Sequence, residues 1–117
     1  MKLPFESMLL RIFIAESNKR DGKPLYRVIV NEALEQGLAG ATVLRGILGF
    51  GGSSRIHTSR VLRLSEDLPI IIEIVDTEEN IEAFIPILDE MIDDGLVTLE
   101  KAKVLAYRYK KDPEKSD

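Results

Sequence analysis

Glycine and arginine are concentrated in the middle of the chain, in a pattern suited to holding phosphate. The run Ala39-Gly40-Ala41-Thr42-Val43-Leu44-Arg45-Gly46-Ile47-Leu48-Gly49-Phe50-Gly51-Gly52 is followed closely by Arg55, His57, Arg60 and Arg63. Glycine lets main-chain N–H groups turn inward and approach an anion. An arginine fork adds charge-assisted hydrogen bonds. No acidic residue occurs from Gln36 to Ser65, whereas the whole chain carries a formal net charge of −4. One cationic segment therefore stands out against an acidic remainder, and that overall balance disfavours a general binder of nucleic acid or anionic membrane.

Other chemistries fit the residues less well. The segment lacks the lysine and hydroxyl residue that follow the last glycine of a Walker loop, and it does not connect a strand to a helix as a dinucleotide fingerprint does. His57 is the only histidine and there is no cysteine, so a zinc site of about four ligands has no donor set and no metal is expected. Glu16 and Glu73 are candidates for a pair of acid–base carboxylates, but residues at a strand end and within a strand are more often structural. Arg55, Arg60 and Arg63 also fit a solvated loop face, and strand glycines such as Gly46 and Gly49 commonly mark a bulge or a close backbone approach.

These residues need a scaffold, and its elements follow from hydropathy. Met8 to Ala15 is a β-branched and apolar run that fits a first strand covered on both faces. A polar connector over residues 17–23 contains Asp21-Gly22 and leads to Pro24. Leu25, Val28, Ile29, Ala33 and Leu34 then recur at helical spacing, with Gly37 and Gly40 placed to end the helix. Ala41 to Phe50 reads as a second strand, a loop follows from Gly51 to Arg63, and Leu68 to Val75 is a third strand. Asp76 or Thr77 can cap a second helix with Ile81, Phe84, Ile85, Leu88 and Ile92 on its apolar face, with Pro86 either kinking it or delaying its start. Asp94-Gly95 ends that helix, and Val104 to Tyr109 is a last strand in which Tyr107 and Tyr109 share a face, directed by default to the core and otherwise to a subunit interface.

The order βαββαβ specifies an α+β, ferredoxin-like fold: a four-stranded antiparallel sheet with two helices on one face. At 117 residues the chain fits a single domain over 1–109 with a charged, frayed tail over 110–117. The strands are apolar on both faces, Leu9, Phe13, Ile71 and Val75 opposing Leu10, Ile12, Ile70 and Ile72. A bare sheet face of that composition implies self-association.

The run from Gly40 to Gly52 resembles the strand that leads into the long loop of PII signal-transduction proteins, with its Thr-Val pair and Gly-Phe-Gly turn. From about Leu10 to Tyr107 the chain resembles the PII-like family known as domain of unknown function 190. That likeness rests on Pro24-Leu25-Tyr26, Gly40-Ala41-Thr42-Val43-Leu44-Arg45-Gly46, Leu64-Ser65-Glu66-Asp67-Leu68-Pro69 and Val75-Asp76. The resemblance implies a homotrimer whose sheets face one another, with adenine nucleotides in clefts between subunits. It places Thr42 near the adenine, Gly49, Gly51 and Gly52 at the phosphates, Leu64 at the base pocket, and Arg108 with Lys110 at the phosphates of a neighbouring subunit. Arg45, Gly46, Phe50, Arg55, His57 and Arg60 complete the candidate ligand-binding set. The modification tyrosine of the longer PII loop is missing here, and the phosphate-contacting lysine that PII proteins carry after the third strand is replaced by Asp76-Thr77-Glu78-Glu79, which favours AMP or ADP over a triphosphate.

The function this implies is non-enzymatic: a nucleotide orders the 51–64 loop, which docks on a partner such as a membrane transporter, a channel or an enzyme. No obligatory cofactor is expected, and the absence of cysteine, of a secretory leader and of a membrane-length apolar run points to the cytoplasm. A small ferredoxin-fold enzyme acting on a phosphorylated substrate is the competing class, with Asn18 and Arg20 as its candidates at a spacing unlike that of acylphosphatases. A trimeric scaffold without nucleotide is another. RNA binding is disfavoured, because Phe13 alone would offer a stacking surface on the central strands.

Overall fold

The computed structural model describes residues 2–52 and 67–110. Among these, the chain forms β1 (Glu6–Ala15), β2 (Lys19–Arg20), β3 (Lys23–Pro24), α1 (Leu25–Glu35), β4 (Thr42–Arg45), β5 (Pro69–Asp76), α2 (Glu78–Met91) and β6 (Leu96–Lys103). The four longer strands make one antiparallel sheet in the order β4-β5-β1-β6. With α1 and α2 on a single face, this is the ferredoxin-like arrangement that the element order specified.

The even-numbered residues of the central strands build the core. Leu10, Ile12 and Ile14 of β1 and Ile70, Ile72 and Ile74 of β5 are buried under Leu25, Ile29 and Ala33 of α1 and Ile81, Phe84, Leu88 and Met91 of α2. Each such large apolar side chain contributes about 1.5–3 kcal/mol of burial free energy. Thr77 caps α2 by accepting the Asn80 N–H at 3.1 Å, and Glu78 and Glu79 follow at the positive end of the helix dipole. Pro86 lies inside α2, which starts at Glu78 without delay. At the end of α1, Gly37 at φ +76° lets its own N–H reach Leu34 O while the Leu38 N–H reaches Ala33 O. That pair of bonds satisfies the last carbonyls of the helix.

Three expectations are corrected. The polar connector contains the β2–β3 hairpin, turning through Asp21 (φ 52°) and Gly22 (φ 78°), the two left-handed residues a tight hairpin turn requires. The second strand stops at Arg45, because its partner strand starts at Pro69, which has no N–H with which to extend the ladder. The last strand is Leu96–Lys103 rather than Val104 to Tyr109. As an edge strand with nearly every residue exposed, it shows no alternation, and Leu, Glu, Lys and Ala are helix-favouring residues. Accordingly Tyr107 and Tyr109 lie beyond the sheet and outside the core, their rings in an edge-on contact 5.6 Å apart.

The face opposite the helices is layered in rows. In register across all four strands, Leu44, Ile71, Phe13 and Leu96 make an apolar row, and Thr42, Glu73, Arg11 and Thr98 make a polar row beside it. The first-strand alternation of apolar residues is thus interrupted on this face by Arg11.

Candidate functional site

The two feet of the glycine-containing loop are fastened to the end of β1. Residue 16 holds both: the Glu16 carboxylate pairs with Arg45 at the outgoing foot, and the Glu16 N–H donates to Leu68 O at the returning foot (2.9 Å). Ser17 adds its N–H and its hydroxyl to the Asp67 carboxylate, at 3.0 and 2.6 Å. The Gly46 N–H donates to Pro69 O at 2.7 Å. Pro69 also explains two glycines, since a Cβ on Gly46 would sit 2.6 Å from Pro69 Cγ and one on Gly49 would sit 3.1 Å from it. The bare backbone expected from the sequence therefore has a partner. Gly51 and Gly52 differ from them, because a Cβ at either meets nothing within 4 Å.

Two cavities lie on the open sheet face. The larger, about 690 Å³, is bounded by the polar row at Thr42, Glu73 and Arg11, by Ala39 to Ala41, and by the end of β6 with the segment that follows it, Ala102 to Tyr107. The smaller, about 460 Å³, is bounded by Phe13, Pro69 and Leu96 and by Gly49, Phe50, Gly51 and Gly52. Both volumes are of ligand size. Among the described residues around the smaller one, Asp67 and Asp94 are the charged ones. The two cavities share β5 as a floor, Glu73 and Val75 lining one and Pro69 the other, with Glu73 and Pro69 four residues and about 13 Å apart along the strand.

The structure brings some candidates together and separates others. Thr42 faces the larger cavity, and the loop residues Gly49 to Gly52 face the smaller. Arg45 projects from the other face of β4, in register with the buried Ile70, where it is held by Glu16. Arg108 is exposed in the segment that follows β6, and Lys110 is exposed two residues later. Arg55, His57, Arg60 and Leu64 lie outside the described residues.

Two residues that the sequence offered in other roles, Asp76 as a helix cap and Tyr107 as a strand tyrosine, hold Ala39 at the wall of the larger cavity. Asp76 is fully buried and its carboxylate accepts the N–H groups of Ala39 (2.7 Å) and Thr77 (2.6 Å) and the Asn80 side-chain amide (2.9 Å). Tyr107 donates its hydroxyl to Ala39 O at 2.7 Å. Arg11 bridges two carboxylates across the sheet, Nε to Glu73 at 2.8 Å and Nη1 to Glu100 at 2.7 Å. The hydrogen bond that Arg11 donates to Glu73, reinforced by the charge of Glu100, pushes the Arg11 guanidinium pKa above its usual value, so it stays a cation.

The acid–base reading is not built here. Glu16 and Glu73 are bound to Arg45 and Arg11 rather than to each other. Asn18 is spent on the turn after β1, its side-chain oxygen accepting the Ala15 N–H at 2.9 Å, and Arg20 donates to Glu90 O at the end of α2 at 3.0 Å. Among the described residues no group of three or more His, Cys, Asp or Glu could hold a metal ion, and no helix is long and apolar enough to cross a membrane.

Comparison with known proteins agrees with this architecture. The DUF190 family model, described as an uncharacterised ACR, matches residues 7–104. A UPF0166 protein of Aquifex aeolicus is 41% identical over 99 residues, covering 83% of this chain and 91% of the relative. A UPF0166 protein of Methanocaldococcus jannaschii is 37% identical over 100 residues, covering 85% and 92%. Among solved structures, a PII-like protein of Thermus thermophilus superposes with a TM-score of 0.58 at 22% identity, covering 89% of this chain and 93% of that one. CPII of Thiomonas intermedia, bound to ADP, AMP and acetate, superposes with a TM-score of 0.54 at 19% identity, covering 89% and 92%. The chain belongs to the DUF190 family and has the ferredoxin-like fold of PII-like proteins.

Proposed function

We propose that this chain is a non-enzymatic, PII-like regulatory protein of the cytoplasm. It forms a homotrimer, binds AMP or ADP in the clefts between subunits, and uses the 51–64 loop to control a partner protein such as a membrane transporter or channel. The observation that carries the reading is the placement of Gly51 and Gly52. They stand at the mouth of a ligand-sized cavity on the open sheet face, at the start of a loop whose two feet are fastened to β1. The match in fold to CPII, which is bound to ADP and AMP, supports the ligand class. The acidic Asp67 and Asp94 beside this cavity favour one or two phosphates over three.

Titration calorimetry with AMP, ADP, ATP and cyclic nucleotides tests the reading, alongside Gly51→Val. Because a Cβ at Gly51 meets nothing within 4 Å among the described residues, that variant is expected to keep the fold and to obstruct what approaches from outside. Saturable binding of AMP or ADP that the variant loses is the expected result. No heat with any nucleotide would leave a trimeric scaffold as the better account.

A further inference from the structure

We infer that Glu73 is the residue that selects the base of the bound nucleotide, by accepting a hydrogen bond from the exocyclic amine of adenine. The inference rests on the proposed nucleotide reading and adds to it a specificity-determining side chain.

Three observations converge. First, Glu73 and Thr42 are directly opposed in the β4–β5 register, which puts their Cβ atoms about 5 Å apart on the same face of the sheet. Both line the cavity of about 690 Å³. Second, Glu73 is held in place through one oxygen only. Its Oε2 accepts from Arg11 Nε at 2.8 Å, and among the described residues no protein donor is found for Oε1. An ionised carboxylate is acceptor-only and this one is partly exposed, so Oε1 is open to a donor from solvent or from a ligand in the cavity. Third, the polar row is bordered by aliphatic side chains, Leu9 and Val75 in the next row and Leu105 and Val104 from the segment after β6. An apolar wall with one anchored acceptor and one hydroxyl suits a flat heterocycle that carries an amine at its edge.

With C6 of the ring seated at Glu73 Oε1, a 6-amino purine presents a donor to the carboxylate, whereas a 6-oxo purine presents a carbonyl oxygen there and carries its own donor one atom away at N1. The hydroxyl of Thr42 can donate or accept and so pairs with either ring edge. Discrimination therefore belongs to Glu73.

The test compares dissociation constants of AMP and inosine monophosphate for the intact protein and for Glu73→Gln, Glu73→Asp and Glu100→Gln. The intact protein should prefer AMP by roughly ten- to a hundredfold, the value of one hydrogen bond to a charged group. Glu73→Gln should erase most of that preference, since its amide can serve a carbonyl as well as an amine. Glu73→Asp, which keeps the charge and shortens the reach, should reduce it and serves if the amide variant does not fold. Glu100→Gln touches the same Arg11 without facing Thr42 and should leave the ratio unchanged. If the intact protein binds AMP and inosine monophosphate equally, or if Glu73→Gln and Glu100→Gln move the ratio alike, the assignment of Glu73 is wrong while nucleotide binding stands. If the intact protein binds neither, the nucleotide reading itself fails and this inference with it.

Discussion

Tyr107 donates its phenolic hydroxyl to the main-chain carbonyl of Ala39, across 68 residues of sequence, at 2.7 Å. The N–H of Ala39 donates to the buried Asp76 at 2.7 Å, so both of its polar groups are held by side chains from other elements. Ala39 lies three residues before Thr42 and lines the larger cavity with it. The turn between α1 and β4 is thereby fixed to the end of β5 on one side and to the segment after β6 on the other.

Removing either holder should have unequal cost. Asp76→Ala leaves the N–H groups of Ala39 and Thr77 and the Asn80 amide without their acceptor, and should lower stability by about 3 kcal/mol. Tyr107→Phe removes a single bond at a half-buried site and should cost about 1 kcal/mol. Urea denaturation of the two variants measures both; equal losses would mean that Ala39 is not held as described.

The glycines at the loop's outgoing foot should rank by the space around them. Gly46→Ala drives a methyl to 2.6 Å from Pro69 Cγ and should cost about 1–3 kcal/mol, with the β4–β5 ladder shortened. Gly49→Ala meets the same atom at 3.1 Å, a contact that a small shift relieves, and should cost about 1 kcal/mol or less. Gly51→Ala should leave stability unchanged. Denaturation midpoints in any other order would contradict the packing of this foot on Pro69.

Two further glycines are needed for their backbone rather than for space. Gly37 at φ +76° closes α1, and Gly22 at φ +78° closes the β2–β3 hairpin, with no atom near enough to obstruct a side chain at either. Gly37→Ala and Gly22→Ala should each cost about 1–2 kcal/mol from left-handed strain alone. Gly37→Asn should recover part of the loss, because asparagine tolerates that region. Thermal unfolding of the alanine and asparagine pair at Gly37 distinguishes backbone strain from a lost contact.

How legible each element is in the sequence depends on where it sits. β1 and β5 occupy the centre of the sheet, so their apolar runs are long and β-branched, and both can be read directly. Gly37 announces the end of α1 because the left-handed cap is a local requirement. β6 escapes a reading by pattern, because an edge strand exposed on both faces carries no alternation. The β2–β3 hairpin escapes it too, since Lys19, Arg20 and Lys23 around Asp21-Gly22 have no apolar face to pack. At the site, the glycine cluster is legible as a close approach, while its partner Pro69 depends on tertiary pairing. The same holds for Glu73 beside Thr42 and for Tyr107 on Ala39. These relations are fixed by register and chain crossing, and no local pattern encodes them.

The apolar row should control assembly. Leu44, Ile71, Phe13 and Leu96 cross the open face in register from one edge strand to the other, and Leu44 and Leu96 remain 45% and 57% exposed in the single chain. Covering such a row requires another surface, and a second and third copy of the chain supply it in the proposed trimer. A carboxylate placed at the centre of the row would have to be desolvated without a partner on association, yet it costs little in the isolated chain, where the face meets water. Phe13→Glu should therefore reduce the mass measured by light scattering to that of one chain while circular dichroism stays unchanged. Thr98→Gln, on the neighbouring polar row beside Arg11, should disturb assembly far less, because it exchanges one uncharged polar side chain for another on a row that is already polar. If both variants keep the mass of the intact protein, the open face is not the surface through which copies associate, and the edge strands β4 and β6 become the places to look.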